Sequence, residues 1–331
     1  MHIAVVGAGA IGSVVAAYLH KAGENVTLIG RPDQLAAIEK NGLKINGIRG
    51  EEVFHIPVKT KMDEEYPLVI FATKTQDVER AYQDNRDFLE NGLVLTTENG
   101  VQADNILSGH IEKEKVISSI VMFGATYINP GEVTFNFEGN WIVGKPYMTN
   151  DMLIHDIAAI LNKAFEVVVS DDIIGMKWLK LFINFNNCLP ALIGKSMQET
   201  FADMDFCTLS IKILKEGVDI VQKAGIQLTS LPNFPVDRIY GLASMPEPQA
   251  AGIMNKTLTT LSQEPVYGSI LQSIIRKKKS EIEFINGEVY MLAKQTGTQA
   301  PLNHKIVDLV NQVEQSGEFF TIEQVKKEFN L

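Results

Sequence analysis

His2-Ile3-Ala4-Val5-Val6-Gly7-Ala8-Gly9-Ala10-Ile11-Gly12-Ser13-Val14-Val15-Ala16-Ala17-Tyr18-Leu19 reads as a short apolar strand, a glycine turn and a helix that stops near Gly23. That order is what a dinucleotide-binding unit requires. Gly7 permits the tight turn, and Gly9 lets the backbone approach a pyrophosphate with no side chain in the way. Gly12 lets the helix pack closely on the strand. The first helical residues, Ala10 and Ile11, present amides to the anion with the helix dipole behind them. The same glycine spacing also occurs in unrelated α/β turns, but here the strand before it and the helix after it favour the dinucleotide reading.

The second strand, Asn25-Val26-Thr27-Leu28-Ile29, bears on which dinucleotide is bound. A site for NAD usually places Asp or Glu at the end of this strand to hold the ribose hydroxyls. This chain has Gly30 and then Arg31, whose planar guanidinium suits a 2′-phosphate. NADP(H) is therefore expected, against the alternative that Arg31 is an ordinary surface cation.

Further strands are expected at 67–73, followed by Lys74, at 93–97, followed by Glu98-Asn99-Gly100, and at 116–121, with a helix over 77–89. The alternation predicts a mostly parallel sheet with helices on both faces. Gly7, Arg31, Lys74 and Asn99 all fall at strand carboxyl ends, where such sheets bind ligands. Residues 132–144 suggest an antiparallel pair turning at Gly139-Asn140. Beyond residue 168 the periodicity becomes helical: 171–192, 209–224 ending at Gly225, one long helix over 265–294, and 303–315. The proline-bearing stretch 230–249 reads as a loop-rich crossing. The expected fold is α/β: an N-terminal Rossmann-type doubly wound parallel sheet over 1–168 and a C-terminal all-helical domain over 169–331, the first holding the cofactor and the second the substrate.

The chain has 331 residues, 45% of them hydrophobic and 21% charged, which suits two globular domains. A net charge of −10 argues against a nucleic-acid partner. The basic run Arg276-Lys277-Lys278-Lys279 reads as a solvated helix face. No apolar stretch reaches the roughly 18 residues of a membrane span, and no signal peptide is expected. Two cysteines without a CxxC pairing suit a reduced, cytoplasmic setting, and the scattered histidines offer no metal site. The helical half leaves room for a homodimer interface.

A nicotinamide carries hydride, so the protein must supply a proton to the carbonyl oxygen. No histidine lies between His155 and His304, which makes a lysine the next candidate. Lys180 stands in Trp178-Leu179-Lys180-Leu181-Phe182-Ile183-Asn184-Phe185-Asn186-Asn187-Cys188. On a helix Lys180, Asn184 and Asn187 share one face, within about 60° of each other. A cation and two amides among large apolar residues call for polar partners; a snorkelling lysine on a solvated face is the alternative. Glu281, in Ser280-Glu281-Ile282-Glu283-Phe284-Ile285-Asn286-Gly287, is placed late in the long helix, where it would orient Lys180, receive a substrate hydroxyl or simply be a surface residue.

Together, GAGAIG at 7–12, Arg31, Lys74, Asn99-Gly100, WLKLFIN at 178–184 and SEIEFING at 280–287 resemble the 2-dehydropantoate 2-reductase (ketopantoate reductase) family over nearly the whole chain. The resemblance implies NADPH-dependent reduction of 2-dehydropantoate to (R)-pantoate, on the route to pantothenate and coenzyme A. It implies Lys180 as general acid and Glu281 as substrate-binding carboxylate. Asn99 and Asn184 become the amides that fix substrate and lysine, and Ser269 a contact for the substrate carboxylate. Arg31 and Lys74 become cofactor contacts. Two positions depart from the family's pattern: Cys188 stands where a second asparagine is frequent, with Asn187 as a substitute one residue earlier, and Ser273 stands where an aspartate is common. Both bear on the substrate side. A reductase of another branched 2-oxo acid and a low-turnover NADP(H)-binding regulator are the alternatives.

Overall fold

The computed structural model describes residues 1–331 and divides into two compact units, Met1–Ile174 and Gly175–Leu331. No helix is long and apolar enough to cross a membrane.

The first unit begins with β1 (His2–Val6), α1 (Ala10–Lys21), β2 (Asn25–Ile29), α2 (Pro32–Asn41), β3 (Leu43–Gly47), β4 (Glu52–Phe54) and β5 (Val58–Lys59). It continues through β6 (Leu68–Phe71), α3 (Val78–Asn85), β7 (Leu93–Thr96), α4 (Gln102–Ser108) and β8 (Val116–Val121). It ends with β9 (Gly124–Asn129), β10 (Glu132–Phe137), β11 (Trp141–Gly144), α5 (Met152–Leu161) and β12 (Val167–Val169). An eight-stranded sheet runs in the order β12-β11-β8-β7-β6-β1-β2-β5. Every neighbouring pair in it is parallel except β8 with β11.

Strand alternation divides the core. Ile3 and Val5 pack with α1 and α5 on one face, while Ala4 and Val6 pack with α3 and α4 on the other. Both faces are covered, which is why β1 beyond His2 and β6 read as unbroken apolar runs rather than as alternating ones, and why β8 is buried throughout, Ser118 and Ser119 included. The doubly wound reading holds.

A second, four-stranded sheet in the order β4-β3-β10-β9 packs on α1. The expected hairpin over 132–144 is not formed. β10 pairs with β9 and β3, whereas β11 belongs to the large sheet, between β8 and β12. The chain leaves one sheet for the other at Gly139, where a Cβ would lie 2.4 Å from the Met122 carbonyl oxygen. The wholly buried side chains of β11 require the large sheet, because a two-stranded ribbon covers only one face.

The second unit is helical: α6 (Ile173–Asn184), α7 (Cys188–Ile193), α8 (Met197–Phe201), α9 (Met204–Lys223) and α10 (Asp237–Ser244), then α11 (Glu247–Thr259), α12 (Ser269–Ile275), α13 (Asn286–Gln295), α14 (Pro301–Ser316) and α15 (Ile322–Phe329). The first two residues of α6, Ile173 and Ile174, precede the unit boundary. α9 is the axis against which α8, α10, α11, α13 and α14 pack. Gly217 on α9 faces the Phe182 and Phe185 rings at 2.8 and 3.0 Å from where a Cβ would stand, so only glycine permits that approach.

Three expectations change here. The helix over 171–192 is broken by a 3-10 turn at Phe185–Asn187, and Pro190, which lacks an amide proton, sits in the first turn of the restarted α7. The helix over 265–294 is two helices. After α12 the Lys277 amide donates to the Ile274 carbonyl and the Lys278 amide to the Ser273 carbonyl, with Lys277 left-handed at φ 54°. This is a Schellman closure with lysine where glycine is usual. The basic run is therefore an exposed loop, not a helix face, and Glu281 precedes a 3-10 turn rather than lying late in a helix. The stretch 230–249 contains α10 and the start of α11; its prolines at 235, 246 and 248 precede or open helices, where a missing amide costs nothing.

Candidate active site

In the first unit β2, β1, β6 and β7 are consecutive neighbours, so the turns that follow them lie side by side. Gly7 has φ +117°, and a Cβ there would meet the Ala72 carbonyl oxygen at 2.6 Å. A Cβ on Gly12 would lie 1.9 Å from the Gly7 carbonyl oxygen. Both glycines are thus imposed by the protein itself. Gly9 differs: it is the N-cap of α1, and nothing lies within 4 Å of a Cβ placed on it. Its freedom from a side chain serves open space above the helix terminus, where Ala10 and Ile11 are half-buried. A pyrophosphate fits that cradle.

Arg31, at the end of β2, is the N-cap of α2; its exposed guanidinium lies 3.5 Å from the Asp33 carboxylate. Such a pair on the surface is worth little and leaves the guanidinium open to another anion. Lys74 caps the 3-10 turn that leads into α3 and is half-buried, as is Asn99 beyond β7. Glu98, quoted in the sequence without a role, ties these two turns together. Its carboxylate accepts from the Thr73 amide at 3.1 Å and from the Thr97 amide at 3.0 Å. The Thr75 hydroxyl donates to the Asn99 carbonyl at 3.3 Å.

In the second unit Lys180 and Asn184 lie one turn apart on α6, both half-buried. The 3-10 turn eclipses residues three apart, so Asn187 keeps the azimuth of Asn184. Its side chain packs on Gly268, where a Cβ would lie 2.3 Å from Asn187 Oδ1. Gly268 is the N-cap of α12, and Ser269, its first residue, is exposed. The structure thus brings Asn187 to the start of the Ser269 helix.

The Lys180 ammonium is pulled down to about 8. Burial is the largest cause, the Lys177 cation lowers it further, and the Glu281 carboxylate opposes both. Lys177 escaped the sequence reading although it stands one turn before Lys180, and it is only 2% exposed. Its signal was the three-residue spacing of two lysines in an apolar helix.

Glu281 is half-buried in the segment between α12 and α13, which is tied down along α14. The Ser280 amide donates to Glu314 at 2.9 Å, Asn311 donates to Glu283 at 2.7 Å, and Asn286 donates to Asn303 at 3.0 Å. Residues 303, 311 and 314 lie within about 80° of one another around a helix. Asn303 is held in turn by Glu216 of α9, which accepts its backbone amide at 2.8 Å and its side-chain amide at 2.9 Å. No sequence pattern announces this lattice, because its partners are 17 to 87 residues apart. Cys188 is buried, and burial pushes its thiol up to about 12, so it is an inert core residue.

Comparison with known proteins agrees over both units. The family described as ketopantoate reductase PanE/ApbA matches residues 3–146, and its C-terminal counterpart matches residues 172–314. The 2-dehydropantoate 2-reductase of Pyrococcus horikoshii is 30% identical over 330 residues, covering 96% of this chain and 99% of that protein. Its Pyrococcus abyssi counterpart is 31% identical over 307 residues, covering 92% and 94%. Among solved structures, D-mandelate dehydrogenase with NADH and anilino(oxo)acetate has a TM-score of 0.82 at 22% identity, covering 96% of this chain and 99% of that one. A PanE/ApbA family ketopantoate reductase from Ralstonia eutropha has a TM-score of 0.81 at 24% identity, with the same coverage. These two likenesses concern the fold. The matches over both units and the identity to the Pyrococcus proteins place the chain in the ketopantoate reductase family.

Proposed function

We propose that the protein reduces 2-dehydropantoate to (R)-pantoate with NADPH, in pantothenate and coenzyme A biosynthesis. The observation that carries this reading is Lys180, a half-buried amine at about 8 in the company of Glu281. A general acid works best with a pKa near the operating pH, and an ordinary lysine is far above it. The curated Pyrococcus relatives bear the corresponding name.

When bound, the nicotinamide supplies hydride to the ketone carbon. The chain's own residues do the rest. Gly7, Gly9, Ala10, Ile11 and Gly12 cradle the pyrophosphate, Arg31 takes the 2′-phosphate, and Lys74 and Asn99 make further cofactor contacts. Asn99, Asn184, Asn187 and Ser269 bind the substrate, and Glu281 accepts its hydroxyl. Lys180 stabilises the charge that develops on the ketone oxygen and gives it a proton. Half-burial of Lys180 strengthens that interaction over its value in water.

The test is NADPH oxidation with 2-dehydropantoate, with NADH and 2-oxoisovalerate run in parallel. Lys180→Ala should lower turnover by about 10²- to 10⁴-fold with NADPH affinity nearly unchanged; a variant that keeps most of its turnover removes Lys180 from the mechanism. A second reading, reduction of another branched 2-oxo acid, rests on Ser273, half-buried on α12 in place of the family's common aspartate. Higher kcat/KM on such an acid than on 2-dehydropantoate would establish it.

A further inference from the structure

We propose that Gln34 is a positioning residue for cofactor discrimination, because its one side chain joins the glycine turn to the turn that carries Arg31. The inference rests on the NADP(H) reading above and extends it to a residue that need not touch the cofactor.

Gln34 stands in the first turn of α2 and is 4% exposed. Its Nε2 donates to the Ala8 carbonyl at 2.6 Å, between Gly7 and Gly9, and reaches the Tyr127 hydroxyl at 3.4 Å. Its Oε1 accepts from the Arg31 amide at 2.9 Å. Gly30 leaves room for this bridge: a Cβ there would lie 2.8 Å from the Ala8 Cβ and 3.1 Å from Gln34 Oε1.

The partners dictate the residue. Ala8 offers a carbonyl, which can only accept, and Arg31 offers an amide, which can only donate. A primary amide serves both at once. A carboxylate can serve Arg31 but faces the Ala8 carbonyl with a second acceptor, and a thioether serves neither well. The Ala8 carbonyl belongs to the peptide unit that presents the Gly9 amide, so its orientation bears on the pyrophosphate cradle. The Arg31 backbone sets where the guanidinium can reach. Loss of the bridge should therefore weaken both nucleotides and weaken NADPH more, because only NADPH uses the guanidinium.

Binding of NADPH and of NADH to the full-length protein would be measured by calorimetry for wild type, Gln34→Met, Gln34→Glu, Arg31→Ala and the Arg31→Ala/Gln34→Met double variant. Gln34→Met should weaken NADPH about tenfold, about the value of one or two hydrogen bonds, with a smaller loss for NADH. In the Arg31→Ala background the same change should leave the NADPH-to-NADH ratio unmoved. An unaltered ratio in folded Gln34→Met, or an equal fall in the ratio without Arg31, overturns the proposal. Should Gln34→Met not fold, Gln34→Glu decides, because it keeps the acceptor for the Arg31 amide and loses only the donor to the Ala8 carbonyl: a like weakening of both nucleotides supports the proposal, and unchanged affinities or a fall confined to NADPH overturn it. A wild type that binds the two nucleotides equally would instead overturn the NADP(H) reading, and the proposal with it, before any variant is compared.

Discussion

Gly9 and Gly12 stand in one motif for different reasons, and substitution separates them. Gly12→Ala would place a methyl group 1.9 Å from the Gly7 carbonyl oxygen, so α1 must move off β1. Losses of about 1–3 kcal/mol or more are expected for such overpacking, read as a lower urea midpoint. Gly9→Ala meets no protein atom within 4 Å. It should hold a midpoint near wild type while weakening NADPH binding about tenfold or more, because the methyl group occupies the space the pyrophosphate would use. Equal stability losses in the two variants would refute this division.

Lys180 carries the second residue-scale prediction. Only its protonated form can donate, so reduction should fall as pH rises through about 8. Lys177 holds that value down and Glu281 holds it up. Lys177→Met should therefore move the alkaline limb of kcat to higher pH, and Glu281→Gln should move it to lower pH, alongside its loss of substrate affinity. Shifts of one sign in both variants would exclude this electrostatic account. The WLKLFIN pattern already marked Lys180 as an unusual cation. That Lys177 is also buried follows only from the packing, since a helical lysine can equally direct its ammonium to water.

At the scale of the element, the segment between α12 and α13 stands out. It lacks regular structure of its own beyond a 3-10 turn at Ile282–Phe284, and α14 holds it in place. Removing Glu314 leaves the buried Ser280 amide without its acceptor, at a cost of about 1–3 kcal/mol. Glu314→Ala should lower the urea midpoint accordingly and raise KM for the 2-oxo acid, with NADPH affinity unchanged. A stability loss with no change in KM would show that α14 supports the fold without placing Glu281. Periodicity misread this region because the apolar spacing on either side of Arg276–Lys279 is helical, while the Lys277 left-handed turn that separates the helices is a local event without its usual glycine.

At the scale of the whole molecule, a nucleotide that binds only the folded chain must stabilise it. NADPH at about 100 times its Kd should add about 2.7 kcal/mol, and NADH at the same absolute concentration should add less if Arg31 reads the 2′-phosphate. Equal thermal shifts for the two nucleotides would contradict the assignment of Arg31. The protein's net charge of −10 makes the result sensitive to salt, so both titrations belong at one ionic strength.

Contiguous residues decided the large parallel sheet, the glycine turn and the exposed cation after β2. Strand, turn and helix there are dictated by backbone sterics, hydrophobic period and short-range hydrogen bonding, which a window of some 20 residues contains. Tertiary structure decided what joins distant segments: the transfer of β11 from an expected hairpin into the large sheet, the four-stranded sheet on α1, the Gln34 bridge, and the α14 ties beneath Glu281. Those depend on which buried polar group finds which partner across tens of residues. Burial makes each unmet partner costly, but it leaves no period in the sequence from which the pairing can be read.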